Sequence, residues 1–242
     1  MKTGALINRI NGLVGRTFRR FGYRFDLAYR YPSADLNILR LGILFLRGKE
    51  TRPLRLVQIG AYDGRVSDPI DGLLEIPNIS SIIVEPQPVP FQVLNDRYQG
   101  LENVYLEQSM IGSVDGTSTL YLPESTVHSQ LASSDRRHLH KLGYADASIK
   151  KLTVHSMTPA SLLKKYNFES VDALQIDAEG ADCSILAQFF AMGIEPGVIN
   201  LETFHVAADE RLELYSQLRA RGYDYVDHDL DTFCIKRELL KV

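Results

Sequence analysis

From residue 54 onward, short apolar runs alternate with amphipathic ones. "LRLVQI" (54–59), "SIIVEP" (81–86), "NVYLEQSMIG" (103–112), "VDALQID" (171–177) and "GVINLETFH" (197–205) read as strands. Helical patterns follow at 89–99, 181–193 and 209–222, and another at 158–166 starts on a Thr cap with Pro in its first turn. A further helix is expected over 67–75, capped by Ser67 or Asp68 with Pro69 behind it. Strands alternating with helices require a mainly parallel α/β sheet, because each parallel connection must carry the chain back across a face. "DGTSTLYL" (115–122) reads as an added β-ribbon, and residues 123–150 as a long, polar, partly helical insertion over the site. The closing "YDYVDHDLDTFCIKRE" holds two alternating runs around a polar turn, a C-terminal antiparallel hairpin.

Charge divides the chain. Residues 1–55 carry twelve Lys and Arg against three acids, a net of +9, so the rest carries −12 of a formal total of −3. Residues 4–21 place Leu6, Ile7, Ile10, Leu13, Val14, Phe18 and Phe21 on one helical face, opposite Arg9, Arg16, Arg19 and Arg20. The expected division is a basic amphipathic helical arm over 1–53, with a short second helix at 36–47, and an α/β domain over 54–242. The arm either completes the core of the body or makes peripheral membrane contact through residues 1–25. The longest apolar run, 36–48, is broken by Arg40 and is too short to span a bilayer. With no secretory-signal pattern and two cysteines outside any metal-ligand spacing, a cytoplasmic protein is expected, the arm reading adding the inner membrane face.

The acids gather. Asp63 follows the first strand, Glu85 ends the second, Asp177 and Glu179 end the fourth, and Glu202 ends the fifth with His205 behind it. In an open parallel sheet the carboxyl ends of the strands border the ligand crevice, so these side chains are expected in one site. The loop "QIGAYDGRVSD" (58–68) lacks GxGxxG spacing, and Tyr62 stands where pyrophosphate needs a glycine. That argues against a nicotinamide or flavin dinucleotide. Glu85 lies 25 residues after Gly60, near the spacing at which an acid on the second strand binds ribose hydroxyls. A loop without pyrophosphate contacts, a ribose acid and a terminal hairpin together point to S-adenosylmethionine.

Over residues 54–236 the chain resembles the FkbM-type methyltransferases. The resemblance is carried by "VQIGAYDGRVS", "IIVEPQPVPFQVL", "SMIGSVDGTSTLYL", "VHSMTPASLL", "VDALQIDAEGADCSIL" and "INLET". It implies a Rossmann-like class I methyltransferase sheet, S-adenosylmethionine as donor, and O-methylation of a sugar, polysaccharide or natural-product hydroxyl. Gln58, Gly60, Ala61, Asp63, Gly64, Glu85, Gln108 and Ser109 become the expected cofactor contacts. Four positions depart from the family pattern: Gln58 replaces an acid, Asp63 an Asn, Gln175 a Lys and Asp182 a Glu. Asp63 is the expected substitute for the acid missing at 58.

A hydroxyl acceptor must lose its proton, to a side-chain base or through a metal. Asp177, Glu202 and His205 are the catalytic candidates. Asp177, Glu179 and Glu202 could instead hold Mg2+, a hard ion that prefers carboxylates. The expected partner is a small-molecule or glycan acceptor; nucleic acid is not expected, since the basic residues lie in the arm and away from the acids. A donor-binding protein without methyl transfer and a nicotinamide oxidoreductase are the alternatives. Oligomeric state is left open.

Overall fold

The computed structural model describes residues 37–64, 68–70, 72–126 and 128–241. The basic arm expected at 4–21, the membrane contact at 1–25 and the cap at Ser67 lie outside these residues. Among the described residues, no helix is long and apolar enough to cross a membrane.

The main sheet grows outward from β1 (Leu54–Ile59), which pairs in parallel with β2 (Ile79–Val84) on one side and β7 (Ala173–Ile176) on the other. β2 continues to β3 (Val104–Glu107), and β7 to β8 (Val198–Glu202), again in parallel. The terminal hairpin is present: β10 (Asp231–Lys236) runs antiparallel to both β8 and β9 (Tyr223–His228). The order β3-β2-β1-β7-β8-β10-β9 reverses direction of winding at β1 and β7. A switch point of that kind opens a crevice at the carboxyl ends of the two strands.

The strand period of two sends side chains to separate cores. Leu54 and Leu56 join Ile79 and Ile83 on one face, while Val57 and Ile59 join Ile82 and Val84 on the other. α5 (Asp182–Ala191) covers the second face with Ile185, Leu186 and Phe189. The first face is covered in part by α1 (Ile38–Lys49), which buries Leu39, Ile43 and Leu46. Each such side chain is worth about 1.5–3 kcal/mol of burial. Gly42 lets α1 sit tightly on the sheet, since a Cβ there would fall 2.9 Å from the Phe233 ring. The compact unit therefore begins at Asn37, not at residue 54. α2 (Pro88–Tyr98), α4 (Pro159–Lys165) and α6 (Ala208–Ala220) match three of the expected helices.

Three local expectations are corrected. The described part of 67–75 forms consecutive turns, with Leu73 N–H donating to Ile70 and Ile76 N–H to Leu73. Gly72, at φ +74°, leaves the helical region, while Ile70, Leu73 and Leu74 are still buried to about the last atom. The expected strand 103–112 divides after β3. Its second part, β4 (Met110–Ile111), joins a small sheet with β5 (Gly116–Pro123) and β6 (Ile149–Met157) in the order β4-β6-β5. β6 has no counterpart among the expected strands. Its outward positions carry Lys151, Thr153 and His155, which conceal the alternation that buries Val154 and Ser156.

Candidate active site

The crevice is assembled by backbone hydrogen bonds at the switch point. Gly60 and Ala61 donate to the Val84 carbonyl, and Asp177 N–H donates to Ile59. Gly60, at φ +81°, is forced by this closeness: a Cβ would lie 1.7 Å from the Asp177 carbonyl oxygen. Tyr62 is also left-handed, at φ +49°, and its N–H reaches Glu85 Oε2 at 2.9 Å. The Gln87 N–H donates to Glu85 Oε1 at 2.8 Å. Glu85 is 3% exposed, and burial, partly offset by these two donors, pushes it up to about 7.

These loops border a cleft that is open to solvent on one side. Of the expected cofactor residues, Gln58, Gly60, Ala61, Glu85 and Ser109 line it. Asp63, Gly64 and Gln108 are not among its lining residues. Gly64 instead faces α2, where a Cβ would lie 2.6 Å from Leu94 Cδ2, and Gln108 is exposed where the chain passes from one sheet to the other. Asp68 does line the cleft, and its Oδ1 accepts from Gln58 Nε2 at 3.0 Å and from Ile70 N–H at 2.9 Å. An acid thus stands beside Gln58, but it is Asp68. The turn that delivers it has the sequence pattern of a helix start, which conceals it.

Two polar atoms on this side have no hydrogen-bond partner although buried: Gln58 Oε1 and Ser109 Oγ. With the glycine-lined loop and the buried Glu85 carboxylate, they form a surface suited to a ligand bearing hydroxyl, amino and amide-like donors. The residues present fit an adenosyl donor.

The opposite wall is lined by carboxyl groups. Asp177 and Glu179 line the cleft, and Glu202 lies behind them. One carboxylate oxygen each from Asp177, Glu179 and Glu202 lie within 4.8 Å of one another. Asp177 is accessible, but the solvent it meets is that of the cleft. Desolvation, then the charge of Glu179, pushes it up to about 8. The same two causes, with Asp177 next, push Glu202 up to about 9. His205 Nε2 sits 3.7 Å from Glu202 Oε1, and burial followed by the nearby His138 lowers its pKa. Glu202 and His205 are not among the lining residues.

Behind this wall the departures from the family pattern acquire partners. Asp182 accepts the N–H groups of Ala178 and Gly180, shaping the loop that carries Glu179 at φ +49°. Gln175 lines the cleft floor and accepts from Asn200 Nδ2 at 2.9 Å, which also donates to Asp231.

The segment after β5 folds back over the cleft, and Gln130, Ala132 and Ser134 line it. Gln87 and Ser129 exchange two hydrogen bonds, and Ser133 Oγ donates to the Glu179 carbonyl at 2.7 Å. Tyr62 Oη and His128 Nδ1 meet at 2.6 Å. The segment's helix, α3 (Arg136–Lys141), buries His138 against Glu179. Gln87, His128 and His138 carried no signal of this in the sequence beyond lying near the expected site.

Among solved structures, the chain is similar to a methyltransferase FkbM from Methylobacillus flagellatus KT, at 14% identity and a TM-score of 0.48. That match covers 80% of this chain and 46% of the other, so this chain spans less than half the length of that relative. An O-methyltransferase from Bacillus cereus in complex with SAH matches at 11% identity and TM-score 0.46, covering 88% and 84%. The O-methyltransferase TomG from Streptomyces achromogenes, involved in tomaymycin synthesis and in complex with SAM, matches at 13% and 0.46, covering 93% and 88%. No curated protein matches. The strand order, mainly parallel and closed by the antiparallel β10, agrees with the Rossmann-like sheet and terminal hairpin expected from the sequence. Residues 58–225, well over half of the chain, match the Methyltransferase FkbM domain, and the chain belongs to that family.

Proposed function

We propose that this chain is an S-adenosylmethionine-dependent O-methyltransferase acting on a hydroxyl of a small-molecule or glycan acceptor. The observation that carries the reading is the two-sided cleft: hydrogen-bonding groups around Glu85 on one wall, and Asp177 on the facing wall. S-adenosylmethionine supplies a methyl carbon made electrophilic by its sulfonium. In this reading Glu85 holds the ribose hydroxyls, Gln58 with Asp68 receives the amino-acid tail, and Ser109 bonds the adenine side. The missing pyrophosphate glycine, at Tyr62, supports this donor over a dinucleotide.

Asp177 is the proton acceptor for the hydroxyl, since it lines the cleft at the carboxyl end of β7, where an acceptor would meet a donor held against β1 and β2. Glu202 and His205, one layer behind, hold the electrostatics of that wall. The segment 124–148 covers the cleft and would exclude water around the reacting pair. A side-chain base makes Mg2+ on Asp177, Glu179 and Glu202 unnecessary to this scheme.

The test is a labelled-methyl assay against a panel of sugar and small-molecule hydroxyl acceptors. Asp177→Asn should lower transfer by about 100-fold or more while S-adenosylhomocysteine binding changes by less than about twofold. Donor binding without transfer to any acceptor would favour a donor-binding role for the fold.

A further inference from the structure

A second constellation lies at the edge of the cleft: it shares Glu179 and His205 with the Asp177 wall and adds His138 from the covering segment. His138 comes from α3 in the covering segment, Glu179 from the loop after β7, and His205 from the loop after β8. One imidazole nitrogen from each histidine and one Glu179 carboxylate oxygen all lie within 4.8 Å of one another. His138 Nε2 is 3.0 Å from Glu179 Oε2, and His205 Nε2 is 3.9 Å from the same oxygen.

The details do not fit a simple ion pair. His138 is 5% exposed, and despite the 3.0 Å approach neither its Nε2 nor Glu179 Oε2 has a hydrogen-bond partner, because the atoms are not aligned for one. Burying two such atoms unsatisfied costs about 1–3 kcal/mol each. The two imidazoles meet edge to face with centroids 4.5 Å apart, and the Nε2 of each lies near the same Glu179 oxygen. Atoms bound about 2.1 Å from one ion lie about 3.0 Å apart when at right angles and about 3.4 Å apart when tetrahedral. The 3.0 Å approach has that spacing, and 3.9 Å needs a movement of well under an ångström. Glu179 is held in the left-handed region at φ +49° by Asp182 below it and by Ser133 on its carbonyl, which fixes the central ligand from both sides.

We propose that His138, Glu179 and His205 bind a first-row divalent transition ion of the Zn2+ or Mn2+ type. Two imidazole nitrogens and one carboxylate select such an ion over Mg2+, which prefers an all-oxygen shell. The ion joins the covering segment, through His138, to the sheet edge, through Glu179 and His205. It therefore fastens that segment over the cleft whatever the acceptor is.

Full-length protein stripped with EDTA is titrated with Co2+, read by its visible absorption, and with Zn2+ and Mg2+ by calorimetry. One equivalent of Co2+ should bind with an absorption band of nitrogen and oxygen ligation, Zn2+ should displace it, and millimolar Mg2+ should not. His138→Gln and His205→Gln should each weaken Co2+ binding by about 100-fold, in protein that still melts cooperatively in EDTA. Should neither variant fold, X-ray absorption of Zn2+-loaded wild-type protein decides, with two imidazole shells expected. The proposal is overturned if no Co2+ band appears, if binding survives both substitutions, if Mg2+ competes equally, or if the absorption spectrum contains no imidazole.

Discussion

The two walls of the cleft leave different atoms unsatisfied. On the β1–β2 wall Glu85 accepts backbone N–H groups at both oxygens, Asp68 accepts from Gln58 and Ile70, and Gln58 Oε1 and Ser109 Oγ, which have no partner, are neutral. On the β7–β8 wall the partnerless atoms belong to titratable groups: His138 Nε2, Glu179 Oε2 and Glu202 Oε2. A neutral acceptor left open suits a ligand that brings its own N–H and O–H groups. A wall on which burial and close charges drive Asp177 and Glu202 to high pKa suits a proton or a cation. In the proposed scheme binding and chemistry are separated across a single sheet switch point, and substitutions on the two walls should give different kinds of failure.

The largest effect is expected where the walls touch. Gly60→Ala would press a Cβ into the Asp177 carbonyl and strain a residue at φ +81°. It should destabilise the fold by about 3 kcal/mol or more, lowering Tm by about 6–12 °C in thermal melts. A near-native Tm would show that the walls are less tightly joined.

A smaller effect separates the acids near Gln58. Asp68→Asn should weaken S-adenosylmethionine binding by about tenfold in calorimetry, and Asp63→Asn by less than about twofold. The reverse order would restore the role the sequence assigned to Asp63.

The smallest effect is electrostatic. Burial lifts Glu85 from 4.5 to about 7, so the folded protein binds that proton more tightly than the unfolded chain. Its contribution to stability is fully present below about 4.5 and is lost as pH rises through about 7. Glu85→Gln has no such titration, so its Tm relative to wild type should improve by roughly 3 °C or more between pH 5 and pH 8. A pH-independent difference would mean that Glu85 is already ionised at pH 5.

Much of this contrast was legible before any coordinates. Strand periodicity located β1, β2, β7 and β8, and the strand-end rule then brought Asp177, Glu179 and Glu202 together, because parallel strands carry their ends to one edge. What stayed hidden depended on tertiary pairing. Only Gln108 and Ser109 separate β3 from β4, and nothing local shows that the hydrogen bonds of the two strands go to different sheets. Asp68 reads as a helix cap in the sequence because Asp-Pro suits both a first turn of helix and the tight turn that Gly72 enforces. His138 lies 41 residues before Glu179, in a polar segment where a solvated histidine is the ordinary case. Its burial comes from the covering segment folding back, held by the Gln87–Ser129 pair.

The most direct measurement is calorimetric titration of S-adenosylhomocysteine into wild-type protein, Glu85→Ala and Asp177→Asn. The separation of walls predicts one site per chain, affinity reduced by about tenfold or more in Glu85→Ala, and affinity within about twofold of wild type in Asp177→Asn. No binding to wild-type protein, or equal losses in both variants, would contradict it.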